Sequence, residues 1–170
     1  MIVNPSDLHP IVNLEGQTCF GCGADNPLGL HMDFRTDGQR IYSFVSIPPA
    51  MAGWDQTVHG GIISTMLDEI MGWSVIYLLG KIGVTKSMTV EFMKPVQVEK
   101  QLTVVGTIGE VVSERLVMVT GTLYSEADLV CARAQGTFAT MSAQTAVRLG
   151  VMRSGYMQRF IPILQQNTGA

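Results

Sequence analysis

Charged residues are scarce in this sequence and are not clustered. They make up 15% of the 170 residues, and 11 Lys and Arg are outweighed by 14 Asp and Glu, for a net charge of −3. Clustered basic residues bind a nucleic-acid backbone, so the lack of a basic stripe argues against a nucleic-acid partner. With 46% hydrophobic residues the chain is too apolar to be disordered, and its length is that of one domain.

The sequence also lacks a secretory signal and an even number of cysteines. The first twenty residues contain no positively charged start followed by an apolar stretch. Three cysteines cannot all pair with one another, so a disulfide framework is not expected. We therefore expect a cytoplasmic protein with reduced thiols.

Two of the cysteines have a spacing that metal and redox sites use. Cys19 and Cys22 are separated by two residues, which invites a zinc or thiol-exchange interpretation. A structural zinc site needs four ligands, and only Cys131 and the histidines remain to complete it. His9 and His31 follow no ligand pattern, so no metal and no cofactor is predicted.

The longest apolar segment runs from Gly60 to Gly80 and predicts a helix that is hydrophobic on every side. About 20 residues are enough either to span a membrane or to fill a protein core. Asp68 and Glu69 lie near the centre, where each carboxylate would cost roughly 2.5 to 3.5 kcal/mol in a bilayer. Gly72 also interrupts the run, and charge clusters do not flank it. We predict a buried core helix and no membrane association.

Strands are predicted on both sides of this helix. Two short ones precede it at 30–34 and 41–47, followed by a loop from Ala50 to about Val58. Beyond the helix, hydrophobic residues alternate with polar ones over 84–93, and three further strands are predicted at 101–112, 115–124 and 129–141. The short turns that separate these last three strands predict antiparallel hairpins, so four antiparallel strands are expected after the helix.

The simplest arrangement of these elements is an α+β fold in which a curved antiparallel sheet wraps a long central helix. One sheet cannot cover a helix that is apolar all round, so a second copy of the chain is expected to cover the rest. Residues 1–26 are predicted to be a turn-rich segment packing on the domain, which comprises 27–142. Residues 143–170 are predicted to be an extension that is helical over about 146–160 and frayed at its end.

The start of the helix carries the residues that point to chemistry. Gly60 and Gly61 follow His59, and tandem glycines let a ligand approach the backbone closely. The unpaired N–H groups of a first helical turn would stabilise a carbonyl oxygen that develops negative charge. Asp68 lies nine residues after His59 on an apolar helix, where burial should increase its basicity. Taken singly, the glycines also fit a helix-start turn, and Asp68 fits a surface carboxylate.

The segment VHGGIISTMLDEIMG, residues 58–72, resembles the hotdog-fold thioesterases of the phenylacetic-acid-degradation (PaaI) type. Their signature is HGG with an Asp nine residues after the His. TKSMTVEFMKPV, residues 85–96, is similar to the family's strand after the central helix, and CFGCGADNPLGL, residues 19–30, resembles a motif of one branch, as does Gly53-Trp54. The resemblance covers roughly residues 19–141 and implies the hotdog fold.

The resemblance implies roles at the matching positions. Asp68 corresponds to a carboxylate that acts as general base on water or as nucleophile on the thioester. The N–H of Gly61, helped by that of Gly60, corresponds to the oxyanion hole. His59 corresponds to a histidine that orients the loop or contacts the thioester, and Thr85 to a Ser or Thr that helps to hold the water. In such enzymes these groups come from two subunits, which implies a homodimer or homotetramer with a shared site.

Further substrate-binding candidates depart from the family pattern or leave it ambiguous. Gly53 stands where some members have Asn, so the contact of that Asn is absent or replaced; Trp54 follows it. Glu69 is ambiguous because another hotdog branch uses a glutamate on this helix. Adjacent helical residues point about 100° apart, so only one of Asp68 and Glu69 should face a given site.

The sequence therefore predicts hydrolysis of an apolar acyl-CoA, aromatic or of medium to long chain, to the free acid and CoA. Lys86, Lys94 and Arg133 are candidates to meet the CoA phosphates. Two alternatives stay open: a non-catalytic hotdog protein that binds acyl-CoA or lipid, and an acyl-thioester hydratase or dehydratase. The first would normally carry an effector domain, and the second a catalytic His at a different spacing.

Overall fold

The computed structural model describes residues 3–169, in which strands surround one long helix. The short N-terminal elements are β1 (His9–Ile11) and β2 (Phe34–Thr36), and β3 (Ile41–Ser46), β4 (Ala52–Trp54) and β5 (Thr57–Val58) follow. The central helix α1 (Gly60–Leu79) leads into four long strands, β6 (Ile82–Phe92), β7 (Gln101–Ser113), β8 (Leu116–Tyr124) and β9 (Val130–Met141). Two helices close the chain, α2 (Ala143–Arg148) and α3 (Ser154–Leu164).

The main sheet has seven antiparallel strands in the order β1-β2-β3-β7-β8-β9-β6. The four long predicted strands are confirmed in position, and β7, β8 and β9 form successive hairpins as expected. The first of the four long strands, β6, pairs with β9 at the far side of the sheet and not with β7, which follows it in the sequence. This order leaves β6, eleven residues long, as an edge strand.

Glycines let α1 lie very close to the sheet. A Cβ at Gly106 of β7 would come within 2.7 Å of the Ile70 carbonyl oxygen, and one at Gly83 of β6 within 2.8 Å of Val75. Glycines at 121 and 136 meet α1 in the same way on β8 and β9. One glycine on each of four neighbouring strands therefore forms a trough that fixes the position of the helix, and with it the positions of the residues along the helix.

The described chain buries only one side of α1. Its buried residues include Ile63, Met66, Leu67, Ile70, Met71, Trp73 and Val75. Residues such as Ile62, Ile76 and Tyr77 on the remaining surface are only partly buried. By length and composition alone α1 could cross a membrane, and 44% of its most apolar window is buried within the chain. The predicted full burial of the helix is thus not reached within one chain.

The structure corrects two sequence-based predictions for the segment that precedes α1. The strand expected at 30–34 begins only at Phe34, because the N–H groups of Leu30 and Met32 donate to carbonyls of the N-terminal segment, at Phe20 and Gly21. The expected loop at 50–58 contains a 3₁₀ turn, Pro49–Met51, and the β4–β5 hairpin.

The C-terminal helix expected over 146–160 is two helices. Gly150, with a φ of +71°, turns the chain after α2, a left-handed conformation that favours glycine. The expected fraying of residues 165–170 falls partly outside the described residues. Within them, Gln166 begins a 3₁₀ turn, and its side chain hydrogen-bonds both the N–H and the carbonyl of Val12.

Candidate active site at the central helix

His59 caps the start of α1 and engages the first helical turn. Its Nδ1 accepts a 2.9 Å hydrogen bond from the N–H of Gly61, which requires the neutral ring to carry its proton on Nε2. The predicted oxyanion donor of Gly61 is therefore occupied by the His59 side chain. An incoming carbonyl oxygen would have to displace His59 Nδ1 or use the neighbouring N–H of Gly60.

The β4–β5 hairpin holds His59 in this position. The N–H of His59 donates to the carbonyl of Met51 over 3.1 Å, and Gly53 packs against the histidine so closely that a Cβ there would lie 3.2 Å from both its Cα and its Cδ2. A larger residue at 53 would press on the ring. Trp54, beside Gly53, is 87% exposed, so its indole ring projects into solvent next to the His59 loop.

Asp68 and Thr85 meet between α1 and β6. The hydroxyl of Thr85 donates a 2.7 Å hydrogen bond to Oδ1 of Asp68. This contact joins the two residues expected to handle the attacking water, although they are seventeen positions apart. Asp68 is only partly buried and Thr85 is exposed, so the enclosure expected around the carboxylate is incomplete in a single chain.

Asp68 and the helix start are too far apart within one chain to act on one carbonyl group. Gly61 and Asp68 are seven residues apart on a continuous helix, which corresponds to about 10 Å along its axis. A reacting carbonyl carbon lies about 3 Å from both its nucleophile and its oxyanion donors. The single chain therefore holds two halves of a site, each at a different place on α1.

Glu69 faces a different environment from Asp68. The N-terminal segment covers its carboxylate: Cys19 Sγ lies 3.7 and 3.8 Å from its two oxygens, and Trp73 Nε1 donates to Oε1 over 3.2 Å. A Cβ at Gly21 would lie 2.5 Å from the Glu69 carboxyl carbon, so a larger residue there would displace the Glu69 side chain. The structure does not bring Glu69 together with the Asp68–Thr85 pair, and its substrate-binding role stays a prediction.

The two cysteines and Glu69 shift one another's protonation. Hydrogen bonding from the Cys22 thiol, and then from the Cys22 and Gly21 N–H groups, lowers the pKa of Cys19 to about 5 despite partial burial. Burial, and then the charge on Cys19, raises the pKa of Glu69 to about 7. The hydrogen bond to Cys19 and burial raise the pKa of Cys22. The surroundings therefore favour the thiolate form of Cys19 and the protonated form of Glu69.

The basic residues considered for CoA lie in different places. Lys86 is exposed on β6 beside Thr85, and Lys94 is exposed just after the same strand. Arg133 is paired in register with Glu91 and points away from α1, because its neighbours Ala132 and Ala134 on β9 are the buried ones. Lys86 and Lys94 remain candidates by their exposure and their position along β6, while Arg133 lies on the sheet face away from α1.

Sequence reasoning did not find the polar cluster around Glu69. Trp73 follows Glu69 by four residues on α1, a spacing that places both on one helix face and could have signalled their contact. The approach of Cys19 and Cys22 could not be inferred in this way, because it brings together residues fifty positions apart.

The architecture defines the class of protein: one long helix packed in the concave side of an antiparallel sheet is the hotdog fold. The model of the thioesterase superfamily matches residues 55–132, which include the helix start, Asp68 and Thr85. The resemblance to hotdog thioesterases is therefore confirmed. A comparison with curated protein sequences finds no match.

Solved structures agree with this fold. A thioesterase superfamily protein has a TM-score of 0.67 at 22% identity, covering 77% of this chain and 69% of its own. The PaaI protein of the Escherichia coli phenylacetic acid degradation operon has a TM-score of 0.60 at 16% identity, with 66% and 81% covered. A hypothetical thioesterase from Streptococcus pneumoniae TIGR4 has 0.57 at 19% identity, with 61% and 82% covered.

Proposed function

We propose that the protein is an acyl-CoA thioesterase whose active site is shared between two chains. The observation that carries this proposal is the 2.7 Å hydrogen bond from Thr85 to Asp68 Oδ1. It fixes the carboxylate and leaves Oδ2 free to accept a proton from water or to attack a carbonyl carbon. The His-Gly-Gly helix start supplies the second requirement, N–H groups where a carbonyl oxygen gains negative charge.

The known ligands of similar structures support a CoA thioester as substrate. The Streptococcus pneumoniae structure contains coenzyme A, and other structures of that protein carry an Asp-to-Ala or a Thr-to-Ala substitution. The smu.793 protein of Streptococcus mutans UA159, 15% identical over 84% of this chain, is bound to acetyl CoA. The apolar surroundings of α1 favour an aromatic or medium- to long-chain acyl group over a charged one.

Hydrolysis would proceed in two steps. Asp68 takes a proton from water as the water oxygen bonds to the thioester carbonyl carbon, and the negative charge on the carbonyl oxygen is met by N–H groups of the helix start. The carbon–sulfur bond then breaks, the carboxylic acid forms, and the CoA sulfur leaves with the proton held by Asp68. If Asp68 attacks the carbonyl carbon directly instead, the carbon–sulfur bond breaks, CoA leaves as the thiolate and a mixed anhydride forms, which water then cleaves to the carboxylic acid and free Asp68.

The separation between the two halves of the site supports a dimer. Asp68 of one chain can meet the helix start of another only if two helices lie side by side in opposite directions. The exposed edge strand β6 and the half-covered face of α1 offer a surface for such a contact. Phe92 and Met93 at the end of β6 are 56% and 51% exposed, as expected for residues that a second chain covers.

The proposal is tested by thioester hydrolysis with released thiol as the readout. The parent protein and two variants, Asp68→Asn and the matched control Asp7→Asn, are assayed against a panel of acyl-CoAs. Asp7 is an exposed carboxylate in an N-terminal 3₁₀ turn, far from Asp68 in the sequence. Loss of the base should lower turnover at least ~100-fold, while the control keeps parent activity. Parent protein that binds the esters but hydrolyses none of them would instead identify a non-catalytic acyl-CoA-binding protein.

A further inference from the structure

Cys19, Cys22 and Glu69 form a compact set of metal-binding atoms outside the proposed catalytic groups. Their two sulfurs and a carboxylate oxygen all lie within 4.8 Å of one another. Cys19 Sγ is 3.7 Å from Glu69 Oε1. Two ligands of a tetrahedral zinc ion, with bonds of about 2.3 Å to sulfur and 2.1 Å to oxygen, stand about 3.6 Å apart. The spacing of these side chains therefore suits one small cation.

The backbone of the N-terminal segment fixes this spacing. The N–H of Gly23 donates to the carbonyl of Cys19 over 2.9 Å and closes a tight turn around both cysteines. A Cβ at Gly23 would lie within 2.6 Å of the Cys19 carbonyl oxygen, and one at Gly21 within 2.5 Å of the Glu69 carboxyl carbon. Gly23 is thus required for the turn, and a side chain at position 21 would displace the Glu69 carboxylate from its place beside the thiols.

Hydrogen bonds from surrounding groups favour anionic ligands at this position. Trp73 Nε1 lies 3.2 Å from Glu69 Oε1 and 3.4 Å from Cys22 Sγ, and Gln17 Nε2 donates to Cys22 Sγ over 3.7 Å. N–H groups directed at the Cys22 sulfur would counter part of the burial that raises the pKa of this thiol, and such outer partners orient the ligands of metal sites. The cluster supplies this outer layer for Cys22, which is itself 7% exposed.

Solvent has access to the cluster from one side. A cavity of about 300 Å³ is lined by Cys22 together with Asn13, His31 and Phe34, among others. Cys22 is the one member of the cluster that lines this cavity, so an ion could approach the cluster from the Cys22 side. A site with three protein ligands and an open position is an arrangement zinc adopts, which the sequence-based requirement for four protein ligands had excluded.

We propose that Cys19, Cys22 and Glu69 bind one divalent zinc-like cation that ties the N-terminal segment to α1. Two thiolates and one carboxylate match the ligands that zinc accepts, and a divalent ion reduces their combined charge from −3 to −1. Binding near neutral pH requires Cys22, and any Glu69 that carries a proton, to release that proton to solvent, whereas the pKa of Cys19 is already lowered. The bound ion would hold the helical turn that follows Asp68, so it would stabilise the fold independently of any hydrolysis.

The experiment uses the whole reduced protein, stripped with a chelator and titrated with Co²⁺, Cd²⁺ and Zn²⁺. We expect one ion per chain, thiolate-to-metal charge-transfer absorption, and a Tm that rises with zinc concentration. Cys19→Ser and Glu69→Gln should each weaken binding at least tenfold. The control Cys131→Ser, whose thiol lies on β9, should bind like the parent.

A second measurement needs no variant. Zinc should slow alkylation of Cys19 in the unmodified protein, as mapped by mass spectrometry, and a chelator should restore the rate. Failure of all three ions to bind, or binding that survives both Cys19→Ser and Glu69→Gln, would overturn the proposal. None of these readouts depends on thioester hydrolysis, so the metal site and the proposed function can fail separately.

Discussion

The hydroxyl of Thr85 on β6 donates a 2.7 Å hydrogen bond to Oδ1 of Asp68 on α1. The contact orients the carboxylate and leaves its second oxygen for chemistry. A hydrogen bond to a charged group contributes about 1.5 to 3 kcal/mol, which corresponds to roughly tenfold to a hundredfold in rate if it acts in the transition state.

Thr85→Val should therefore lower kcat for acyl-CoA hydrolysis by about tenfold to a hundredfold, because it removes the hydroxyl while keeping the shape of the side chain. Thr85→Ser keeps the hydroxyl and should retain most of the activity. Steady-state kinetics on both variants provide the measurement. Equal activities in the two variants would show that the hydrogen bond has no part in catalysis.

A shared site predicts complementation between two inactive chains. Gly61→Pro removes the N–H that now donates to His59 Nδ1 and that is the expected oxyanion donor, and Asp68→Asn removes the carboxylate. Each homodimer should be inactive. A mixed dimer should regain up to half the parent turnover, because one of its two sites receives both intact groups.

The complementation is measured after the two chains are produced together and the mixed dimer is isolated by two affinity tags. Light scattering on the parent first establishes the oligomeric state. An isolated mixed dimer that stays inactive would contradict a site built from two chains, and a monomeric parent would contradict it more directly.

The raised pKa of Glu69 predicts a pH-dependent contribution to stability. Burial raises this pKa from 4.5 to about 7, so the folded chain binds the proton more tightly than the unfolded chain. The stabilisation is fully present below pH 4.5 and is lost as the pH rises through about 7. The pKa of Cys19 is lowered from 9.0 to about 5, so its contribution to stability is lost as the pH falls through about 5. This pH dependence is opposite to that of Glu69, and the two pH ranges overlap.

The test therefore compares Cys19→Ser with Cys19→Ser/Glu69→Gln, in the presence of a chelator. At low pH the Cys19→Ser protein, which keeps Glu69, should have the larger free energy of unfolding in urea. Its advantage over the double variant should shrink between pH 4.5 and about 7. A difference that is constant over that range would mean that Glu69 titrates normally in the folded protein.

The close approach of α1 to the sheet predicts that Gly106→Ala destabilises the fold. Its Cβ would lie 2.7 Å from the carbonyl oxygen of Ile70 and would also meet the hydroxyl of Ser74. Overpacking of this kind typically costs about 1 to 3 kcal/mol. Gly155→Ala on α3 is the control, because a Cβ there meets nothing within 4 Å. Urea unfolding that shows equal stability for both variants would contradict the tight packing.

Much of the fold could be predicted because its signals are local. The change from an apolar helix to alternating strands after Gly80 lies within a few residues of sequence, and the structure confirms those elements within about two positions. The spacing of His59 and Asp68 also lies within one helix, so both could be placed on α1 in advance. Strand order could not be predicted in this way, because the pairing of β6 with β9 joins segments about forty residues apart.

The sequence by itself determined the elements and the residues available for chemistry: an apolar helix that begins at His-Gly-Gly, its carboxylate Asp68, and long strands to cover it. Only the tertiary structure decided which of these residues meet. Packing of α1 into the glycine trough places Asp68 beside Thr85 and turns Glu69 toward Cys19 and Trp73. These contacts depend on helix rotation and strand order, which burial of the whole core sets and local sequence does not.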